Sequence, residues 1–349
     1  MAMVETRLVC GGVDTHSLVH VAAVVDNNGG LLGVEEFEVT RPGYARLLAW
    51  MRSFGDISRV GIEGTGSYGV DLARHFAAAG VAVVEVDRPD RVERHRSGKS
   101  DPVDAVAAAR AALSGRASGK PRGRDGAVEA MRVLCVAKRS ARNQRISVLC
   151  QIRHLGFCAP DELRGQLKGL NTSQLIAKTA GFRPSGSNDV VLSMTKLALR
   201  ELGRRAQHLE AEIDRVETEL ARLVRATAPQ LLNVYGCGVH SAALLLVAAG
   251  DNRDRLRSEA AWAHLCGAAP IPASSGKVVR HRLNRGGDRQ ANHALYRIAI
   301  VRMRHDSRTK VYVERRRAEG RTTGEIVRCL KRYIAREIFN VLPRSVLND

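Results

Sequence analysis

Aromatic side chains are scarce in this chain: Phe, Tyr and Trp make up 4% of its 349 residues, against a hydrophobic content of 44%. Such a composition gives a globular core of alanine, valine and leucine, and it leaves little material for base-stacking platforms. Long apolar runs are missing too. The longest, AALLLVAAG from Ala242, falls well short of the roughly 18 to 20 residues that a membrane span needs. The opening MAMVETRLVCGGVDTH has no basic n-region, apolar h-region or cleavage site, so a cytoplasmic protein without a membrane partner is expected. The seven cysteines (10, 135, 150, 158, 237, 266 and 329) are odd in number, scattered, and form no CxxC pair. That excludes the usual start of a zinc site and points to reduced, structural thiols.

Acidic residues are also in short supply. Lys and Arg number 55 against 36 Asp and Glu, a formal net charge of +19. With a membrane surface disfavoured, an excess of this size points to nucleic acid as the polyanionic partner. The length allows two or three domains.

Residues 8 to 87 alternate between strand and helix patterns. LVCGGVDTH, LVHVAAVVD and LLGVEEFEV read as strands, the last two joined by the Asn-Asn-Gly-Gly turn at 27 to 30. A helix, a strand RVGIEG, a helix closed by Gly80 and a strand VAVVEVD follow. Three hairpin-linked strands followed by helix–strand units predict an α/β domain with a mixed sheet, the order of an RNase H-like fold. The segment at 114 to 126 reads as a basic loop, and 156 to 190 shows no clear period. Leu199, Leu202, Ala206, Leu209, Ile213, Val216, Leu220 and Leu223 form an a/d seam. The seam fits a coiled coil, or one amphipathic helix packed on its own domain. Further on, VYGCGVHSAALLLVAAG resembles a helix-hairpin-helix turn, a feature that ordinary helical hairpins share. From Lys277 to Arg336 there are 18 Lys and Arg against 5 Asp and Glu, the densest basic region.

In so basic a chain the acidic residues at element ends stand out. Asp14 closes the first strand and Glu63 a later one, so neighbouring strands would bring both carboxylates to one sheet edge. Asp101 and Asp104 then open DPVDAVAAARAAL, three apart and on one helix face. Asp101 also fits an N-cap, with Pro102 at the first helical position and Asp104 favourable to the helix dipole, so cap and ligand readings both stand. Four carboxylates at one edge repel one another and require divalent cations. Hard oxygen donors suit Mg²⁺ or Mn²⁺, and a pair of ions would serve phosphodiester displacement.

GVDTH, GIEGTGSYG and KSDPVDA, together with YGCGVHSAALLLVAAGD and the stretch AWAHLCGAAPIPASSGKVVRHRLNRGGDRQANHALYRIA, resemble the DEDD transposases of the IS110 group of insertion sequences. The resemblance covers residues 8 to 155 and 228 to 305. It implies a RuvC-like catalytic domain at 1–155, a helical coiled-coil connector at 156–227, and a mainly helical domain at 228–349 with a catalytic serine and a basic nucleic-acid-binding surface. The implied metal ligands are Asp14, Glu63, Asp101 and Asp104, holding two Mg²⁺ or Mn²⁺ ions. The implied nucleophile is Ser275, directly before a glycine, with Ser274 as the alternative. The implied partners are target and donor DNA, a guide (bridge) RNA, and further copies of the chain in dimers and tetramers.

Without the resemblance, ASSG is only a turn; a serine needs a base or a metal to become a nucleophile, and nothing local supplies a base. Lys99, Lys277, Arg280, Arg282, Arg285 and Arg289 are candidate phosphate contacts. One departure is Ser17, where the family commonly has a lysine after DTH. Two further readings stay open: a hydrolytic RNase H-like nuclease or junction resolvase, and a non-catalytic basic scaffold.

Overall fold

The structure, a computed structural model, describes residues 7–86, 100–117, 119–121, 126–184, 189–250, 256, 258–273 and 281–343. They form two compact units, 1–124 and 125–349.

The first unit is built on one five-stranded sheet: β1 (Leu8–Thr15), β2 (Val19–Asp26), β3 (Leu31–Glu38), β4 (Asp56–Glu63) and β5 (Val83–Val86), in spatial order β3-β2-β1-β4-β5. The first three strands pair antiparallel, as their tight turns predict, whereas β4 and β5 run parallel to β1. Helices α1 (Arg41–Arg52) and α2 (Val70–Ala78) supply the parallel crossovers. Alternation along the strands sorts the side chains. Val9, Val13, Ala22, Val24, Val60 and Ile62 pack with Leu47, Met51, Leu72 and Phe76 of α1 and α2. The opposite face receives α3 (Asp101–Leu113).

Helix α3 lies unusually close to the sheet. It offers Ala105, Ala108, Ala109 and Ala112, all buried, and the strands answer with glycine. A Cβ on Gly12 would sit 2.2 Å from the Ala105 carbonyl oxygen, and one on Gly61 2.5 Å from that of Ala108. Gly12 and Gly61 are register partners across β1 and β4. The helix axis is therefore set down directly on the two strands whose ends carry Asp14 and Glu63. Low side-chain volume on both sides is what allows this approach.

The second unit is helical: α4 (Gly126–Phe157), α5 (Asp161–Leu167), α6 (Thr172–Ala180), α7 (Val190–Thr227), a 3-10 turn (Pro229–Asn233), α8 (Val239–Ala249), α9 (Glu259–Leu265), α10 (Arg289–His305), α11 (Ser307–Ala318) and α12 (Thr323–Val341). A two-residue ribbon, β6 (Ile271–Pro272) with β7 (His281–Arg282), interrupts it. The first compact unit ends at 124, and α4 belongs wholly to the second.

The a/d seam of α7 is covered within this chain. Leu199, Ala206 and Leu209 pack with Ala141, Leu149 and Ile152 of α4 and with Leu175 and Ile176 of α6. Leu220 and Val224 enter the main core with Met131 and Leu245. Gly203, an apparent weak point of the seam, is where the end of α6 meets α7: a Cβ there would lie 2.4 Å from the Ala180 nitrogen. Residues 156 to 190 contain two short helices, α5 and α6. At two turns or so a helix shows little periodicity, and α6 is specified by a capping box between Asn171 and Gln174.

Before α8 the Gly-x-Gly turn uses Gly236 at φ +82° and places Gly238 at the cap of α8. A 3-10 turn precedes it, so the helical hairpin here is α7, 3-10 turn, α8. All seven cysteines are free. Among the described residues no helix is long and apolar enough to cross a membrane.

Candidate functional site

In the first unit, three ligand-type side chains converge at the carboxyl end of β1. His16 Nε2 lies 3.2 Å from Asp14 Oδ2 and 3.4 Å from Asp101 Oδ2. One ligand atom from each of the three fits within 4.8 Å of the others. Asp14 reaches this point because it shares the α3 face of β1 with Gly12, two residues back; His16 follows just past the end of the strand.

The start of α3 brings in the rest. Ser100, extended at φ −146°, occupies the cap position, and Asp101 is the first helical residue. This corrects the expected cap by one position: Asp101 is not the cap, and its carboxylate reaches His16 instead. Asp104 lies one turn further along, is buried, and bears on Asp14 electrostatically.

Glu63 ends β4 on the same sheet edge. Val13 pairs with Ile62, so Glu63 is the next residue beside Asp14, on the face that Gly61 shares with α3. Thr15 Oγ1 donates to the Glu63 carbonyl at 2.8 Å and ties the two strand ends together. The four predicted acidic residues are therefore gathered at one end of one sheet face by strand register and helix approach.

The electrostatics of the cluster favour a cation. Burial pushes the Asp14 carboxyl above its ordinary range; His16 pulls it back down, and Asp104 and Asp101 raise it further. A buried carboxylate beside two others, with an imidazole nitrogen set between two of them, is an arrangement that a bound cation would stabilise. Carboxylate oxygens with one imidazole nitrogen are a donor set that could hold a divalent cation. His16 is the ligand-type residue that sequence reasoning passed over. Its signal was a local one: it stands two positions after Asp14, just past the end of β1.

In the second unit, Arg282, Arg285 and Arg289 line one cavity of about 900 Å³. Its walls are the segment Gly267–Pro270 after α9, strand β7 with the loop after it, the start of α10 and one face of α12. Asp288 caps α10 by accepting from the Gln290 and Ala291 amides at 2.8 and 2.9 Å, which fixes the direction of Arg289. Gly287 packs on Gly267 so closely that a Cβ would lie 2.3 Å from the Gly267 nitrogen. From α12 come Arg328, Lys331 and Arg332, spaced to face one way. Lys331 Nζ donates to Asn292 Oδ1 at 2.9 Å, and burial together with Arg328 holds the Lys331 ammonium below its usual range. These α12 residues lay inside the basic region recognised from sequence, but only the fold shows which of them share the cavity. Ser274, Ser275, Lys277, Arg280 and Lys99 lie outside the described residues. Of the two strands that bracket the serine segment, β7 (His281–Arg282) stands at the cavity wall.

A mixed sheet in this order, with helices on both faces and an acidic cluster at the end of its central strand, defines a DEDD-type RNase H-like domain, here joined to a largely helical basic unit. The comparisons agree with that class. A DEDD transposase family of IS110 type matches residues 11–155, and the transposase family IS116/IS110/IS902 matches residues 228–314. The chain belongs to this IS110 family of insertion-sequence transposases.

Among curated proteins, the insertion element IS110 uncharacterized 43.6 kDa protein of Streptomyces coelicolor is 30% identical over 159 residues, 45% of this chain and 38% of that protein. The insertion element IS900 uncharacterized 42 kDa protein of Mycobacterium paratuberculosis is 26% identical over 202 residues, 54% of this chain and 50% of that protein. The chain thus matches half or less of the length of each of these relatives.

Proposed function

We propose that this protein is a DNA transposase and site-specific recombinase. In this reading, Asp14, Glu63, Asp101 and Asp104 hold two divalent ions, and Ser275 is the nucleophile. The observation that carries the reading is the convergence of Asp14, Asp101 and His16 within 4.8 Å, beside the buried Asp104 and the end of β4. Family membership supplies the transposition chemistry, and the net charge of +19 accounts for holding a phosphate backbone that the carboxylates alone would repel.

When bound, Mg²⁺ or Mn²⁺ supplies Lewis-acid stabilisation of the attacking and leaving oxygens at phosphorus. The chain's own residues do the rest. Asp14 and Asp104, buried and rigidly placed, set the geometry, while Asp101 and His16 stand at the solvent edge of the cluster. Arg282, Arg285 and Arg289 neutralise and orient the strand's phosphates in their cavity. Ser275 Oγ gives up its proton and forms a bond to phosphorus as the bond to the leaving deoxyribose oxygen breaks, and that oxygen takes up a proton, so the protons balance. The phosphoserine link conserves the energy of the broken ester for rejoining. Target choice rests with base pairing to a bridge RNA, and the working form is an oligomer, a dimer pairing into a tetramer.

Substitution at two positions tests the reading. Ser275→Ala abolishes strand exchange and the covalent protein–DNA adduct. Asp104→Asn abolishes both cleavage and exchange. If Ser275→Ala left metal-dependent cleavage intact, the serine assignment would fall and the hydrolytic nuclease would replace it. Full activity in Asp104→Asn would remove the metal site from the chemistry.

A further inference from the structure

A second cavity, of about 770 Å³, opens within the helical unit between α4, α7, α8 and α10. It shares no lining residue with the cavity that holds Arg282, Arg285 and Arg289. Its volume is in the range that holds small polar ligands or a segment of a larger one.

The charge inside does not balance. Lys138 is buried and pairs with Glu217, Nζ to Oε2 at 3.2 Å, and Arg145 grips Glu210 through Nε at 3.0 Å. These pairs use two of the three carboxylates. Asp214 is left to face Arg139, Arg142 and Arg297, and among the described residues none of these three arginines has an ion pair. The histidines register the surplus. His240 is held down to about 4 by burial, Lys138, Arg297 and Arg142, although Glu217 opposes them. His293 is lowered by burial, Arg297 and Arg142. That the same two arginines act on both imidazoles places them around one space. His240 Nδ1, moreover, is buried and has no hydrogen-bond partner among the described residues.

The lining is not charge alone. Ile213 and Leu244 give an apolar floor, and the amides of Asn143 and Gln290 stand beside it. Guanidinium forks match the oxygens of a phosphate, an apolar floor suits a sugar or base, and side-chain amides suit base edges. A free inorganic anion would use only the first of these. Arg139, Arg142 and Arg297 are exposed, so a strand can enter from solvent.

We propose that this cavity is a second phosphate-binding site, separate from the acidic cluster and from the cavity of Arg282, Arg285 and Arg289, which takes one phosphodiester of a nucleic-acid strand between Arg142 and Arg297. It fixes the strand's path over the helical unit and does no chemistry.

The test is arginine modification by phenylglyoxal on the full-length protein, mapped by peptide mass spectrometry, alone, with a short single-stranded oligonucleotide, and with inorganic phosphate. The oligonucleotide is expected to protect Arg142 and Arg297, equally in wild type and in Asp14→Asn, while the exposed Arg222 on α7 stays reactive. In a second arm the double variant R142Q/R297Q, both at exposed positions, lowers the slope of log affinity against log salt by about 0.7 for each phosphate it no longer neutralises. The proposal is overturned if Arg142 and Arg297 react at the same rate with and without the oligonucleotide, or if inorganic phosphate alone protects them. Protection of Arg222 to the same degree, loss of protection in Asp14→Asn, or an unchanged salt slope would overturn it as well.

Discussion

Gly12 and Ala105 meet backbone to backbone: a Cβ on Gly12 would lie 2.2 Å from the Ala105 carbonyl oxygen and 2.2 Å from the Ala109 nitrogen. This approach sets the height of α3 above β1 and therefore the distance from Asp104 to Asp14. Gly12→Ala pushes α3 off the sheet. Overpacking of this kind costs about 1–3 kcal/mol. Thermal unfolding is expected to show that loss, with a larger proportional loss of divalent-ion affinity than of stability. Leu113→Ala, at the far end of α3 from the carboxylates, gives the opposite ratio.

Asp14 carries its charge at a cost. Its carboxyl lies above the ordinary value of 3.8 because of burial and the neighbouring Asp104 and Asp101, although His16 opposes them. A group whose pKa is raised on folding binds more protons in the native state, so it weakens the fold as pH rises through the window above the ordinary value. In the metal-free protein at neutral pH, Asp14→Asn is therefore expected to raise the melting temperature. Adding Mn²⁺ should stabilise wild type by mass action and leave the variant unmoved. Calorimetric melts with and without the ion give both readings.

His20 makes the first unit acid-sensitive. It is fully buried on β2, stacks on Tyr44 at 5.7 Å, and neither ring nitrogen has a hydrogen-bond partner among the described residues. Burial, with His16, holds it down to about 4 from 6.5. A depressed histidine leaves the unfolded chain binding more protons, so stability is complete above about pH 6.5 and falls as pH drops toward about 4. A shift of that size is worth about 3 kcal/mol. His20→Phe keeps the stacked ring and removes the proton, and its melting temperature should vary less between pH 7 and pH 4.5 than that of wild type, the two pH values being chosen to span about the window above.

The cavity of Arg282, Arg285 and Arg289 should behave as a phosphate clamp. Arg285→Gln and Lys331→Met each remove one cation from it, and each is expected to weaken DNA binding across sequences and to lower the salt slope by about one. Lys331→Met also releases Asn292, which still donates to the Cys266 and Gly267 carbonyls at 2.8 and 3.1 Å, so folding should survive. Filter binding over a range of salt concentrations measures the slope.

Much of this was legible in the sequence because strand alternation and helix period are short-range codes. The turn at 27 to 30 foretold the antiparallel half of the sheet, and Asp14, Glu63, Asp101 and Asp104 stood out as acids at element ends in a basic chain. Three features were out of reach, each because it depends on residues far apart in the chain. The glycine and alanine surfaces of β1, β4 and α3 encode close approach, yet in sequence they look merely small. The seam of α7 looks the same whether its partner is another chain or, as here, α4 and α6. The grouping of Arg328, Lys331 and Arg332 with Arg282, Arg285 and Arg289 needs the packing of α12 on α10. His16 stands close to Asp14 in sequence, just past the end of β1, but its place beside Asp101 needs the approach of α3.

The account rests on a carboxylate metal centre in the first unit. A calorimetric titration of Mn²⁺ into the full-length protein and into Asp104→Asn tests it most directly, because Asp104 is buried at the cluster and the substitution removes its charge with little change of shape. The account predicts saturable binding by wild type that Asp104→Asn loses. Equal affinity in the two proteins would contradict it.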